Sequence, residues 1–159
     1  LTDGVKFAML RNISSRFKYS CFVNIVEEME LNLYPESQRS VLFDLLSYAN
    51  KIELNRLVLT THSPYVINYL TLAAKAFLLT QKVSANETLQ ERVKEVVPAD
   101  SAIDPARLRI YELKDGGVFR LSTYEGLPSD ENFLNIQLGV TNELFDQLLE
   151  IEQEFDYKN

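Results

Sequence analysis

The chain has 159 residues, of which 46% are hydrophobic and 25% charged, enough for one domain with a sizeable core. A formal net charge of −7 is the wrong sign for a surface that neutralises many phosphates, so composition does not point to nucleic acid. No apolar run approaches the roughly 20 residues that span a bilayer and no secretory leader pattern is present, so a cytoplasmic protein without membrane contact is expected.

In chain order, Cys21 to Val26 form a short, nearly continuous apolar run, and Leu57 to Leu59, followed by Thr60 and Thr61, form another. Both read as buried strands of a sheet covered on two faces. The single cysteine, Cys21, cannot form an internal disulfide and reads as a reduced core residue of the first strand. Between the strands, Pro35 suits a first helical turn, and Val41, Leu42, Leu45, Leu46 and Ala49 share one helical face. Strand, amphipathic helix and strand make a βαβ unit with parallel strands, so the fold class is α/β, a parallel sheet flanked by helices.

After the second strand, Ser63 can cap and Pro64 can open a helix running through Tyr65, Ile67, Leu70, Leu72, Ala73, Ala76, Phe77 and Leu79. Residues 84 to 106 are polar and broken by Pro98 and Pro105, with a short helix expected over Thr88 to Val96. Leu108 to Leu113 and Val118 to Tyr124 flank Lys114-Asp115-Gly116-Gly117, whose glycines suit a tight β-hairpin. From about Thr141, the residues Leu144, Phe145, Leu148, Leu149, Ile151 and Phe155 form the apolar stripe of a terminal amphipathic helix. The expected organisation is a core portion over residues 1–83 and an extension over 84–159, the hairpin and final helix, packed on the same domain.

Two constellations could carry chemistry. Glu27 and Glu28 follow directly on the first strand, and His62, the only histidine, stands at the carboxyl end of the second. Taken singly, each has a bland reading: acids often end a strand because the turn is solvated, and a lone histidine in a turn is usually structural. If the strands are neighbours, however, both groups lie along the carboxyl edge, where parallel α/β sheets bind their ligands.

Ile25-Val26-Glu27-Glu28-Met29-Glu30-Leu31-Asn32-Leu33-Tyr34-Pro35 resembles the extended Walker B segment of ABC-type ATPases of the SMC/RecF-like kind, within the AAA and P-loop NTPase families. Thr60-Thr61-His62-Ser63-Pro64 is similar to the switch-histidine motif of that family, and Leu1-Thr2-Asp3-Gly4 to the end of its signature motif. The resemblance covers about residues 1 to 75. It implies a P-loop NTPase-like sheet, ATP and Mg²⁺ as ligands, and ATP hydrolysis. Glu27 would hold Mg²⁺ through water, since that ion keeps several waters and prefers hard oxygen donors. Glu28 would polarise the attacking water, and His62 would contact the γ-phosphate. Thr2, Asp3 and Gly4 would touch a nucleotide held by a second copy, which implies an ATP-dependent homodimer. Nucleic acid enters as a partner by family analogy alone. The sequence departs from the family pattern at Glu27 (commonly Asp), Met29 (commonly Pro) and Tyr34 (commonly His), while Thr2 keeps the hydroxyl of the usual serine.

A P-loop needs Gly-x-x-x-x-Gly-Lys followed by Ser or Thr. The five glycines, at 4, 116, 117, 126 and 139, form no such sequence. The chain also begins without methionine and inside the signature-like segment, so it reads as the C-terminal portion of a longer ATPase whose N-terminal portion supplies the P-loop. A Toprim nuclease extension is not indicated, since its Asp-x-Asp element is absent. Two alternatives stay open: a non-catalytic interaction module that keeps the fold without turnover, and a metal site built from Glu27, Glu28, Glu30 and His62, which would have little selectivity with one imidazole.

Overall fold

The computed structural model describes residues 21–158. It opens with β1 (Val23–Glu27), α1 (Pro35–Asn50) and β2 (Arg56–Thr60). The two strands pair in parallel, with Ile25 opposite Val58, Val26 opposite Leu59 and Glu27 opposite Thr60. A buried Asn55 starts the pairing, because its side chain accepts from the Phe22 N–H (2.9 Å) and donates to the Tyr48 carbonyl (3.1 Å).

Helix α1 begins at Pro35, whose fixed φ suits the first turn, with Glu36 placed favourably against the helix dipole. It buries Leu42, Phe43, Leu45 and Leu46, so the apolar stripe read from sequence faces the core and gains Phe43. Helix α2 (Pro64–Lys82) buries Val66, Ile67, Leu70, Ala73, Ala74 and Ala76. The Phe43 and Tyr69 rings meet edge to face across the two helices, 6.3 Å apart. Ser63 occupies the capping position of α2, yet its hydroxyl makes no cap and is directed elsewhere, as described below.

Helix α3 (Glu87–Val96) is capped by Asn86, whose side chain accepts from the Leu89 N–H at 3.0 Å. Two 3₁₀ turns, Ala99–Ser101 and Pro105–Arg107, follow. The first is tied to α1: the buried Ser101 hydroxyl donates to the Phe43 carbonyl at 2.8 Å, and Asn50 donates to the carbonyls of Asp100 and Ala102. The chain divides into two compact units with the boundary between Arg107 and Leu108.

In the second unit, β3 (Tyr111–Lys114) and β4 (Gly117–Arg120) form the expected hairpin, turning through Asp115 and Gly116 at φ of 50° and 72°. A second, smaller hairpin follows, β5 (Thr123–Tyr124) with β6 (Leu127–Pro128), turning through Glu125 and Gly126 at φ of 50° and 81°. The final helix, α4, spans Phe133–Lys158.

Four sequence expectations are corrected. Among the described residues the β1–β2 sheet is covered on one face only: Val23, Ile25 and Val58 are 65%, 69% and 48% exposed, while Asn24, Val26, Leu57 and Leu59 on the other face are half-buried. Cys21 is exposed, because it precedes the paired part of the strand. The strand expected over Val118 to Tyr124 stops at Arg120, and Thr123 and Tyr124 turn back into the second hairpin. Helix α4 starts at Phe133 instead of about Thr141, since Asn132 accepts the Asn135 N–H at 3.0 Å and nothing crowds Gly139 within the helix. No helix among the described residues is long and apolar enough to cross a membrane.

Candidate functional site

The site grows from the way β1 ends. Beyond Glu27, the last paired residue, the Glu28 N–H still donates to β2, reaching the Thr60 carbonyl at 3.0 Å and the Thr60 hydroxyl at 3.2 Å. Glu28 then turns sharply, with φ of 45°, a left-handed conformation that residues bearing a Cβ seldom adopt. Asn32, at φ of 60°, makes a second such turn, for which its side chain is better suited. The Leu31 N–H donates to the Glu28 carbonyl and the Leu33 N–H to the Glu30 carbonyl, both at 3.0 Å. The result is a compact loop in which Met29 is 2% exposed while Glu27 is exposed at the strand end. Met29 is therefore a core side chain.

The end of β2 is held from the opposite side. The His62 N–H donates to Glu30 Oε1 at 2.6 Å, so an acid from the β1 loop grips the backbone of the β2 loop. The Ser63 N–H donates to the Thr61 hydroxyl at 3.0 Å, and the buried Ser63 hydroxyl donates to Gln38 Oε1 at 2.6 Å. Gln38, also buried, donates through Nε2 to the Leu33 carbonyl at 3.0 Å. Tyr34 precedes α1 and is exposed.

These ties bring Glu28 and His62 together. His62 Nε2 lies 3.5 Å from Glu28 Oε1, and the two side chains are 82% and 40% exposed. At that separation and exposure the pair contributes little to stability. Its chemical value is different: a carboxylate and an imidazole converge on solvent, so one incoming group could touch both. Glu27 is at the same end of the sheet, and its exposed carboxylate is a hard oxygen donor of the kind that holds Mg²⁺ through water. Among the described residues no group of three or more His, Cys, Asp or Glu is arranged to hold a metal ion, so the four-residue site of Glu27, Glu28, Glu30 and His62 does not form. Thr2, Asp3 and Gly4 lie outside the described residues.

Glu27, Glu28 and His62 are recognisable as candidates in the sequence, whereas Thr60 and Gln38 carry no signal there and Glu30 one only as a metal ligand. Each of these three acts by hydrogen bonding to a residue 25 to 32 positions away, and no spacing along one chain signals such a contact.

Residues 23–68 match a family model described as an AAA domain, putative AbiEii toxin, of a type IV toxin–antitoxin system. The matched segment runs from β1 into the first turns of α2 and so contains Glu27, Glu28 and His62. It supports an AAA-type, P-loop NTPase-related, nucleotide-binding function. No curated protein and no solved structure matches the chain.

Proposed function

We propose that this chain is the C-terminal portion of an ABC-type ATPase of the SMC/RecF-like kind, contributing the Walker B acids and the switch histidine to a site whose P-loop comes from an N-terminal portion. The observation that carries the reading is the convergence of Glu28 and His62, 3.5 Å apart, at the carboxyl ends of two parallel strands. The exposed apolar face bearing Val23, Ile25 and Val58 supports it further, because parallel sheets are ordinarily covered on both faces and the N-terminal portion would supply that cover.

In this reading Glu28 accepts a hydrogen bond from the water that attacks the γ-phosphorus. The new bond forms between that water's oxygen and phosphorus as the bond to the β–γ bridging oxygen breaks, leaving ADP and inorganic phosphate. His62, open to solvent, donates a hydrogen bond to a γ-phosphoryl oxygen as charge redistributes. Glu27 would hold a Mg²⁺ ion through water, and that ion would offset charge on the phosphates. Thr2, Asp3 and Gly4 would act on the nucleotide of a second copy, so the working form is an ATP-dependent homodimer.

Nucleotide affinity and hydrolysis by the full-length protein test the proposal. Glu27→Gln is expected to weaken Mg²⁺-dependent ATP binding, and His62→Ala to slow turnover with a smaller effect on affinity. If the full-length wild type neither bound nor hydrolysed ATP, the chain would instead be a non-catalytic interaction module on the same fold.

A further inference from the structure

We propose that Glu30 is a positioning residue of this site: its carboxylate, by accepting the His62 backbone N–H, fixes the imidazole opposite Glu28. The catalytic meaning of that placement rests on the function proposed above, whereas the placement itself concerns only residues of this chain.

The His62 side chain is 82% exposed, so packing does little to hold the ring, and the backbone at residue 62 sets the point from which it reaches toward Glu28. The contact made by that backbone is with Glu30 Oε1, at 2.6 Å. Hydrogen bonds to an ionised carboxylate are shorter and roughly twice as strong as neutral ones. The flanking ties act on either side of the histidine: Thr60 receives the Glu28 N–H, and Ser63 is bonded to Gln38. Those bonds tie the end of β2 to the end of β1 and to α1 without engaging His62, and Glu30 links the two loops at the histidine itself.

A purely structural account of Glu30 meets a difficulty at its other oxygen. Glu30 Oε2 is buried and has no hydrogen-bond partner among the described residues. Burying a carboxylate oxygen without a donor opposes folding, so a residue serving only loop stability would be better replaced by one without that atom. Glu30 is also two residues beyond Glu28 on the same compact loop, whose Leu33 N–H is bonded to the Glu30 carbonyl. The loop that places the acid therefore also carries the group that places the histidine, and the two sides of the pair are set by one element.

His62 is the only histidine, so its ring signals in an NMR spectrum are identifiable without further labelling. The full chain would be compared as wild type, Glu30→Gln and Glu30→Ala, each with and without Glu28→Gln, at one fixed pH. In the wild type, Glu28→Gln is expected to shift the His62 ring signals, because a neighbouring charge is removed. In Glu30→Ala that response is lost and the His62 amide signal moves. Glu30→Gln, whose amide oxygen still accepts, keeps the response. Retained methyl signals from the buried Leu42 and Val66 show that the fold survives. Should Glu30→Ala not fold, Glu30→Asp, which keeps the charge but withdraws the acceptor by one methylene, provides the same comparison. A ring response undiminished in Glu30→Ala or Glu30→Asp overturns the proposal. In single-turnover assays of the full-length protein, Glu30→Ala should lower the hydrolysis rate with nucleotide affinity little changed, and Glu30→Gln should restore it. If the NMR response is lost while wild-type protein hydrolyses no ATP, the positioning role stands and the ATPase reading falls.

Discussion

Glu28 combines a left-handed backbone with an acid side chain aimed at the only histidine. Such a conformation costs on the order of 1–3 kcal/mol for a residue with a Cβ and persists where the surroundings impose it, here through the paired hydrogen bonds to Thr60. Glycine at this position would relieve the strain while adding chain entropy to the unfolded state. Glu28→Gly is therefore expected to raise stability modestly, by about 0.5–1 kcal/mol, while removing the carboxylate to which the proposed function assigns water activation. Urea unfolding of the two proteins checks the sign, and a clear loss of stability would show that the turn is not strained. The identity of Glu27, Glu28 and His62 as candidates was legible from residue type and spacing. The turn at Glu28 was not, because a positive φ at a non-glycine residue leaves no mark in composition.

Hydrogen-bonded side chains between elements, which periodicity does not report, hold the β1 and β2 loops in place. Gln38 sits on the buried side of α1, where a stripe of apolar residues alone was anticipated, and links the Ser63 hydroxyl to the Leu33 carbonyl. Gln38→Leu would leave both groups without that partner, and a loss of about 1–3 kcal/mol in unfolding free energy is expected. A denaturant titration that showed no loss would mean that solvent reaches the pair. The βαβ unit itself could be read in advance, since its strands are continuous apolar runs and Pro35 and Pro64 mark both helix starts. One-sided burial of the sheet could not be, because a run such as Val23-Asn24-Ile25-Val26 is compatible with one covered face or two. The early start of α4 was not visible from the apolar stripe, which begins at Leu144: the helix is set by the Asn132 cap and runs through Gly139 despite a glycine's cost of roughly 1 kcal/mol.

At the scale of the whole molecule, the sequence carries an acid pair and a histidine at the carboxyl end of two parallel strands but no Gly-x-x-x-x-Gly-Lys segment to wrap phosphates. The 159 residues alone are therefore expected to show no ATP turnover above background. Mg²⁺-dependent hydrolysis by this chain that disappeared in Glu28→Gln would contradict the division of the site between two portions. The most direct test of the central claim is single-turnover hydrolysis by the full-length protein, wild type against Glu28→Gln, with nucleotide affinity measured under the same Mg²⁺. Glutamine keeps the size and reach of the side chain but removes the charge that polarises water. The account predicts ATP affinity close to wild type, hydrolysis slower by about 10²-fold or more, and accumulation of ATP-bound dimers. Hydrolysis by Glu28→Gln at the wild-type rate would contradict it, and Glu28 would then be a solvated acid at the end of a strand.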